Sequence, residues 1–251
     1  MTVPTTQVPG TALPMPRPEG AGMTHRGRVR ERNEDSILTD PGGTLWAVAD
    51  GMGGYDLGDV ASDMVIDALA TLSDDGDPVA DLTDRLIRAN AAVLARAREA
   101  GGGPMGATVV ACMIRRAVAH LVWAGDSRAY LMRSGHLRLL TRDHTVVQDL
   151  VEAGALNPDE AGRHPESHVV TRAVGMGADF EVDSVSVPIV PGDRLLLCSD
   201  GLHGCLSESR IATALAGPVA PGEVCKGLVA DALEAGAPDN VSVIVVDLKE
   251  G

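Results

Sequence analysis

Leu45-Trp46-Ala47-Val48-Ala49-Asp50-Gly51-Met52-Gly53-Gly54 is an apolar run that ends on a carboxylate and a cluster of glycines. A run of this length bounded by glycines reads as a buried strand that delivers Asp50 at its C-terminal end, on a rigid element. Gly51, Gly53 and Gly54 leave the following backbone bare, so an ion or ligand can reach both the carboxylate and the adjacent carbonyl oxygens. Taken alone, Asp-Gly at a strand end is an ordinary turn signal.

The device recurs. Leu195-Leu196-Leu197-Cys198-Ser199-Asp200-Gly201 is a second apolar strand ending in Asp-Gly, and Val122-Trp123-Ala124-Gly125-Asp126 is a third apolar run that closes on an aspartate. Asp239 stands beside Asn240 immediately before the apolar run Val241 to Val246. If these strands share a sheet, four carboxylates meet at its edge, where mutual repulsion raises their pKa values unless cations occupy the site. Oxygen ligands without a His or Cys cluster favour Mg²⁺ or Mn²⁺ over zinc.

Outward from these strands, Val60, Met64, Val65, Ala68, Leu69 and Leu72 recur at helical spacing, as do Leu82, Leu86, Ile87, Val93 and Leu94. Gly101-Gly102-Gly103-Pro104 closes the second helix and opens hairpins over 107–114, 117–124, 130–133 and 137–140. Their short connections make neighbouring strands antiparallel. From Thr141 to Gly175 the strand pattern stops; one helix closed by Gly154 and another opening at Asn157-Pro158 are expected, which makes this insertion, at about 145–171, a candidate flap. Strands return at 181–190 and 194–199, helices at 207–215 and 223–234, and a strand at 241–248. Separate blocks of helices and strands predict an α+β fold with largely antiparallel sheets.

Residues 1–22 carry five prolines and no hydrophobic period, and read as a disordered leader. Residues 23–251 read as one domain, long enough to bury a sizeable core. Aromatic residues make up only 2%, so that core is built from Val, Leu, Ala, Ile and Met. A formal charge of -14, from 21 Lys and Arg against 35 acids, argues against a nucleic-acid or anionic-membrane partner. No apolar stretch reaches spanning length and no signal peptide is legible, so a cytoplasmic location is expected. Cys112, Cys198, Cys205 and Cys225 lack metal-type spacing and read as reduced thiols.

Arg28, Arg30 and Arg32 alternate in a charge-dense segment ending in Asn33-Glu34-Asp35. On a strand all three would share one face, so spacing alone does not distinguish them.

With these residues in hand, the chain from about residue 24 resembles the PPM family of metal-dependent serine/threonine protein phosphatases, the protein phosphatase 2C type, in its bacterial form. The resemblance rests on Arg30 with Asn33-Glu34-Asp35, Ala49-Asp50-Gly51-Met52-Gly53-Gly54, Gly106-Ala107-Thr108 and Gly125-Asp126-Ser127-Arg128-Ala129-Tyr130. It continues in family order through Leu140-Thr141-Arg142-Asp143-His144, Thr171-Arg172-Ala173-Val174-Gly175, Ser199-Asp200-Gly201-Leu202 and Pro238-Asp239-Asn240-Val241-Ser242. It implies a four-layer α-β-β-α sandwich of two antiparallel sheets flanked by helix pairs, with a helical flap inserted at about 145–171.

The resemblance further implies hydrolysis of phosphoserine and phosphothreonine on proteins by a hydroxide bridging two Mn²⁺ or Mg²⁺ ions. Asp50 would bridge the ions, the Gly51 carbonyl would bind one, and Asp200 and Asp239 would complete the other. Asp126, with Asp200, would hold a third, weaker ion. Arg30 would clamp phosphate, and Glu34 and Asp35 would orient water. Met52 stands where eukaryotic relatives carry a histidine able to act as general acid, and a thioether donates no proton; His144 and His164 are possible substitutes. Phosphoprotein substrates, a cognate serine/threonine kinase and a monomeric state are the expected partners. Two rival readings are a partner-switching phosphatase for an anti-sigma-factor antagonist, and a non-enzymatic module that binds metal or phosphoprotein.

Overall fold

The computed structural model describes residues 15–40, 43–53, 57–71 and 76–251. Residues 1–14 of the expected leader, Gly54 and Leu72 lie outside them. In chain order the elements are β1 (Arg17–His25), β2 (Asp35–Thr39), β3 (Leu45–Gly53), α1 (Gly58–Ala70), α2 (Pro78–Glu99), β4 (Met105–Arg115), β5 (Val118–Ala124), β6 (Arg128–Arg133) and β7 (His136–Leu139). There follow α3 (Val146–Glu152), α4 (Pro158–Ala161), β8 (Asp183–Pro188), β9 (Arg194–Cys198), α5 (Asp200–His203), α6 (Glu208–Leu215), α7 (Pro221–Glu234) and β10 (Val241–Lys249).

The strands form two five-stranded sheets, ordered β1-β10-β9-β6-β7 and β2-β3-β4-β5-β8. All the strand pairings are antiparallel. Alternation along β3 explains the layering: Leu45, Ala47 and Ala49 turn toward α1 and α2, while Trp46 and Val48 turn toward the other sheet. Leu82, Leu86, Ala89, Val93 and Ala97 give α2 its inward face, and the Asp77 carboxylate caps its first turn through the Ala80 N–H. On the far side α6 and α7 pack Ile211, Leu215, Leu228 and Val229 over Leu196, Val243 and Val245. The result is the expected four-layer sandwich, and both tryptophans, Trp46 and Trp123, sit between its sheets.

Three expectations change. The leader boundary at residue 22 gives way, because β1 begins at Arg17 and pairs with β10 in register from Arg17 opposite Lys249 to His25 opposite Val241. β1 shows no apolar period because a glycine stands where a core side chain would be: a β-carbon on Gly20 would strike the Trp46 indole. β3 does not stop at Asp50 but pairs on to Gly53 opposite Met105. A glycine is required inside it, since a β-carbon on Gly51 would collide with the Gly58 and Glu34 carbonyl oxygens. Finally, Arg28, Arg30 and Arg32 lie in the loop between β1 and β2, so strand alternation does not govern them.

α3 and α4 occupy the segment expected to be a flap. Its two ends meet, with Val146 N–H donating to the Val169 carbonyl and Thr171 N–H to that of His144.

Candidate metal centre

The inter-sheet layer turns polar at one edge. Continuing the rows of Ile37, Trp46-Val48, Val110-Cys112, Leu195-Leu197 and Ile244-Val246 by two residues reaches Asp35, Asp50, Thr108, Ser199 and Ser242. Asp35 is the register partner of Asp50, and Asp50 also faces Thr108 on β4. Asp126 follows β5 after one glycine, Asp200 opens α5 after Ser199 separates it from β9, and Asp239 precedes β10. Asp50, Asp126, Asp200, Asp239, the Gly51 backbone and Arg30 thus all line one cavity of about 760 Å³, together with Glu34, Met52 and Thr108.

Electrostatics marks this wall as short of positive charge. Burial, then the charge of Asp200, pushes Asp126 up to about 7, and burial likewise lifts Asp35 to about 7 against hydrogen bonds that favour its charged form. Asp50 is held well above the usual carboxylate range by burial and by Asp35, and Asp200 is raised by burial and Asp239. Asp50 and Asp200 keep some exposure, but it is exposure into the cavity, with their carboxyls set deep.

Oδ1 of Asp35 and Oδ1 of Asp200 are buried without a hydrogen-bond partner among the described residues. The donor set is all oxygen, it is repelled by itself, and it holds orphaned carboxylate lone pairs, so a divalent cation fits it. Among the described residues no three acid, His or Cys side chains close around a single point. The acids line a wall of the cavity instead.

The loop facing this wall is tied down by Asn240. Its Nδ2 donates to the Arg26 carbonyl at 3.0 Å and the Arg32 carbonyl at 2.8 Å, while its Oδ1 accepts the Glu34 N–H at 2.8 Å. The Glu34 carbonyl accepts the Gly51 N–H at 3.0 Å and the Ser62 hydroxyl at 2.6 Å. Arg30 Nη2 donates to Asp239 Oδ2 at 2.6 Å, exposed at the cavity mouth. Arg28 instead sends Nε to the Leu233 carbonyl at 2.7 Å, so of these two arginines it is Arg30 that lines the cavity.

Asp35 lies behind Asp50, with Ser199 Oγ donating to its Oδ2 at 2.9 Å. Ser199 and Asn240 stand in the motifs that carry the resemblance, but no role of its own was legible for either. His144 and His164 do not line the cavity. His144 is buried with Nδ1 accepting the Gly125 N–H at 3.1 Å and Nε2 3.3 Å from Asp183, and His164 accepts the Glu166 N–H. His168, from the segment 145–171, does line it, with no local signal in the sequence to mark it.

Comparison with known proteins agrees with this layout. A family model described as stage II sporulation protein E (SpoIIE) matches residues 40–249. The serine/threonine protein phosphatase PstP of Mycobacterium tuberculosis is 42% identical over 232 residues, which cover 91% of this chain and 44% of that protein. The chain therefore spans less than half the length of that relative. The serine/threonine phosphatase stp of Listeria welshimeri is 34% identical over 238 residues, covering 89% of this chain and 93% of the relative. Among solved structures, the PstP catalytic domain in complex with two manganese ions superposes with a TM-score of 0.85 at 39% identity, covering 92% of this chain and 98% of that one. With this likeness running the length of the sandwich, the chain belongs to the PPM family of protein phosphatases, the protein phosphatase 2C type.

Proposed function

We propose that this chain hydrolyses phosphoserine and phosphothreonine on cytoplasmic proteins, acting as a monomer and removing phosphate installed by a serine/threonine kinase. One observation carries the reading: four aspartates with little compensating charge line a single cavity, and Arg30 stands at its mouth. Asp50, Asp200, Asp239 and the Gly51 carbonyl would hold two Mn²⁺ or Mg²⁺ ions, and Asp126 with Asp200 a third, weaker one. When bound, such ions supply Lewis acidity toward phosphoryl oxygens and a water activated near neutral pH.

Arg30 would grip two phosphoryl oxygens through its planar guanidinium and offset charge that develops on them, loosening its bond to Asp239 as it does so. Glu34 and Asp35 would accept hydrogen bonds from the attacking water. Ser199 Oγ donates to Oδ2 of Asp35, whose Oδ1 is buried without a partner among the described residues. Met52 lines the cavity with a thioether, so that position provides no proton for the leaving oxygen.

Turnover of p-nitrophenyl phosphate with Mn²⁺, lost on chelation, together with phosphate release from phosphothreonine peptides, tests the proposal. Tight Mn²⁺ binding without turnover of either would leave a non-enzymatic module. Activity on one folded phosphoprotein but on no phosphopeptide would mark the narrower, partner-switching type.

A further inference from the structure

We propose that the loop joining β1 to β2 is a docking surface for acidic residues flanking the phosphorylated side chain of a protein substrate. The proposal rests on the phosphatase reading above. Between residues 26 and 32 stand Arg26, Arg28, Arg30 and Arg32 against a single acid, Glu31, in a chain whose 35 acids outnumber its 21 Lys and Arg. All four arginines are exposed. A local excess of positive charge on so acidic a protein attracts anionic segments and repels few of its own neighbours.

The geometry concentrates this charge beside the cavity. Arg26 Nη1 donates to the Arg30 carbonyl at 3.3 Å, which sets a second guanidinium next to the residue that turns toward Asp239. Arg28 Nε is anchored on the Leu233 carbonyl at the end of α7, and this fixes the reach of its remaining N–H donors. Among the described residues neither Arg26 nor Arg28 has a carboxylate partner. Val29, 69% exposed, stands between Arg28 and Arg30 and lines the cavity mouth.

The platform is preorganised. Asn240 bonds to the carbonyls of Arg26 and Arg32, and Arg28 N–H donates to the Ala237 carbonyl at 2.9 Å. The loop is thereby tied to the segment that carries Asp239, so docking orders little new backbone. An extended substrate advances about 3.3 Å per residue, so carboxylates two or three positions from the phosphorylated residue fall within the span of this loop. A small aryl phosphate has no flanks and is indifferent to Arg26 and Arg28.

The test uses phosphothreonine peptides with three aspartates before, three after, or alanines on both sides, with p-nitrophenyl phosphate as the flankless control. Two exposed ion pairs are worth roughly three- to tenfold, so kcat/KM should favour at least one acidic peptide over the alanine peptide by that factor. The preference should shrink in 0.5 M salt and disappear in Arg26→Gln/Arg28→Gln, while aryl phosphate turnover and melting temperature stay as in the parent. Arg26→Gln alone, which gives up only one long hydrogen bond, should halve the preference or more and guards against a folding defect in the double variant. The same preference is read independently as Kd by anisotropy of labelled peptides. Absence of turnover on every substrate counts against the phosphatase reading, whereas normal aryl phosphate turnover without an acidic preference, or with one that survives both substitutions, overturns the docking surface alone.

Discussion

Asp35 and Asp50 stand directly opposite each other on β2 and β3, two deeply set carboxyls as register partners of an antiparallel pair. Like charges in that relation destabilise a sheet, and burial adds to the cost. The arrangement is tolerable if the carboxyls take up protons or cations, and the first expectations follow from this choice.

The metal-free protein should lose stability as pH rises from 6.5 to 8. Asp35 and Asp126 have folded-state pKa values of about 7, above the unfolded value, so their stabilising protonation is complete below the unfolded pKa and is lost as pH passes the folded one. His203 works oppositely. Burial pushes it down to about 4, so its penalty appears only below the ordinary histidine range, as the unfolded chain takes up a proton that the fold refuses. Thermal melts in chelator should therefore fall between pH 6.5 and 8, and saturating Mn²⁺ should raise the melting temperature more at pH 8 than at pH 6.5. A Mn²⁺ effect equal at both pH values would remove these carboxyls from the explanation.

Asp50→Asn should separate stability from function. The amide removes an ionisable group from a self-repelling set, so the metal-free variant should melt at least as high as the parent at pH 8. Turnover should fall by about a hundred- to a thousandfold, as electrostatic stabilisation at the reacting centre is lost, and calorimetric titration should show weaker Mn²⁺ binding. A destabilised variant with normal Mn²⁺ affinity would make Asp50 merely structural.

The parts of this site that were legible in the sequence are those where an apolar run meets an acid: Asp50, Asp126, Asp200 and Asp239 each lie at or within two residues of one, and all four line the cavity. The sheet layering was equally plain, because alternation and short hairpins leave few alternatives. β1 was not legible from Arg17, since Gly20 gives its inward face to the Trp46 ring and leaves no apolar period. Spacing did not separate Arg30 from Arg28, and only the family resemblance singled out Arg30; the long-range bonds that carry Arg30 to Asp239 and Arg28 to the Leu233 carbonyl are encoded by no local spacing.

Asn240 is the residue on which that loop depends. Asn240→Ala strips two carbonyls and one N–H of their partners and should cost about 2–4 kcal/mol, seen as a lower denaturation midpoint. Asn240→Asp keeps the acceptor for Glu34 N–H but loses both donors and adds a charge beside Asp239. Both should raise KM for aryl phosphate more than they lower kcat, because Arg30 loses its placement. Unchanged KM in a folded variant would free Arg30 of the loop.

Residues 145–171 should govern protein substrates more than chemistry. They form a separate helical excursion, and His168 and Val170 reach the cavity from it. Replacing 147–168 with a short linker should change kcat/KM on phosphoproteins at least about tenfold more than on p-nitrophenyl phosphate, by analogy with the loss of remote binding contacts. Equal losses on both would count against a substrate-selecting flap.

Asp126 offers the sharpest test of a third ion. The bland account has its carboxylate capping the turn after β5, but that turn is held by other groups: His203 Nε2 donates to the Asp126 carbonyl at 2.9 Å, and the Gly125 N–H is taken by His144 Nδ1. The carboxyl itself lines the cavity, raised to about 7 by burial and by Asp200. Removing it should therefore not unfold the protein, and the metal-free variant should melt slightly higher than the parent at pH 8, by the same sign argument as for Asp35. Asp126→Ala should retain two tight ions by calorimetry, lose any weaker third one, and show kcat reduced by roughly a hundred- to a thousandfold, within the range for losing general acid–base assistance. Asp126→Asn, which keeps the shape but not the charge, should behave alike. An unchanged kcat at saturating Mn²⁺, or a fall that tracks a lower melting temperature, would falsify this role and return Asp126 to the turn.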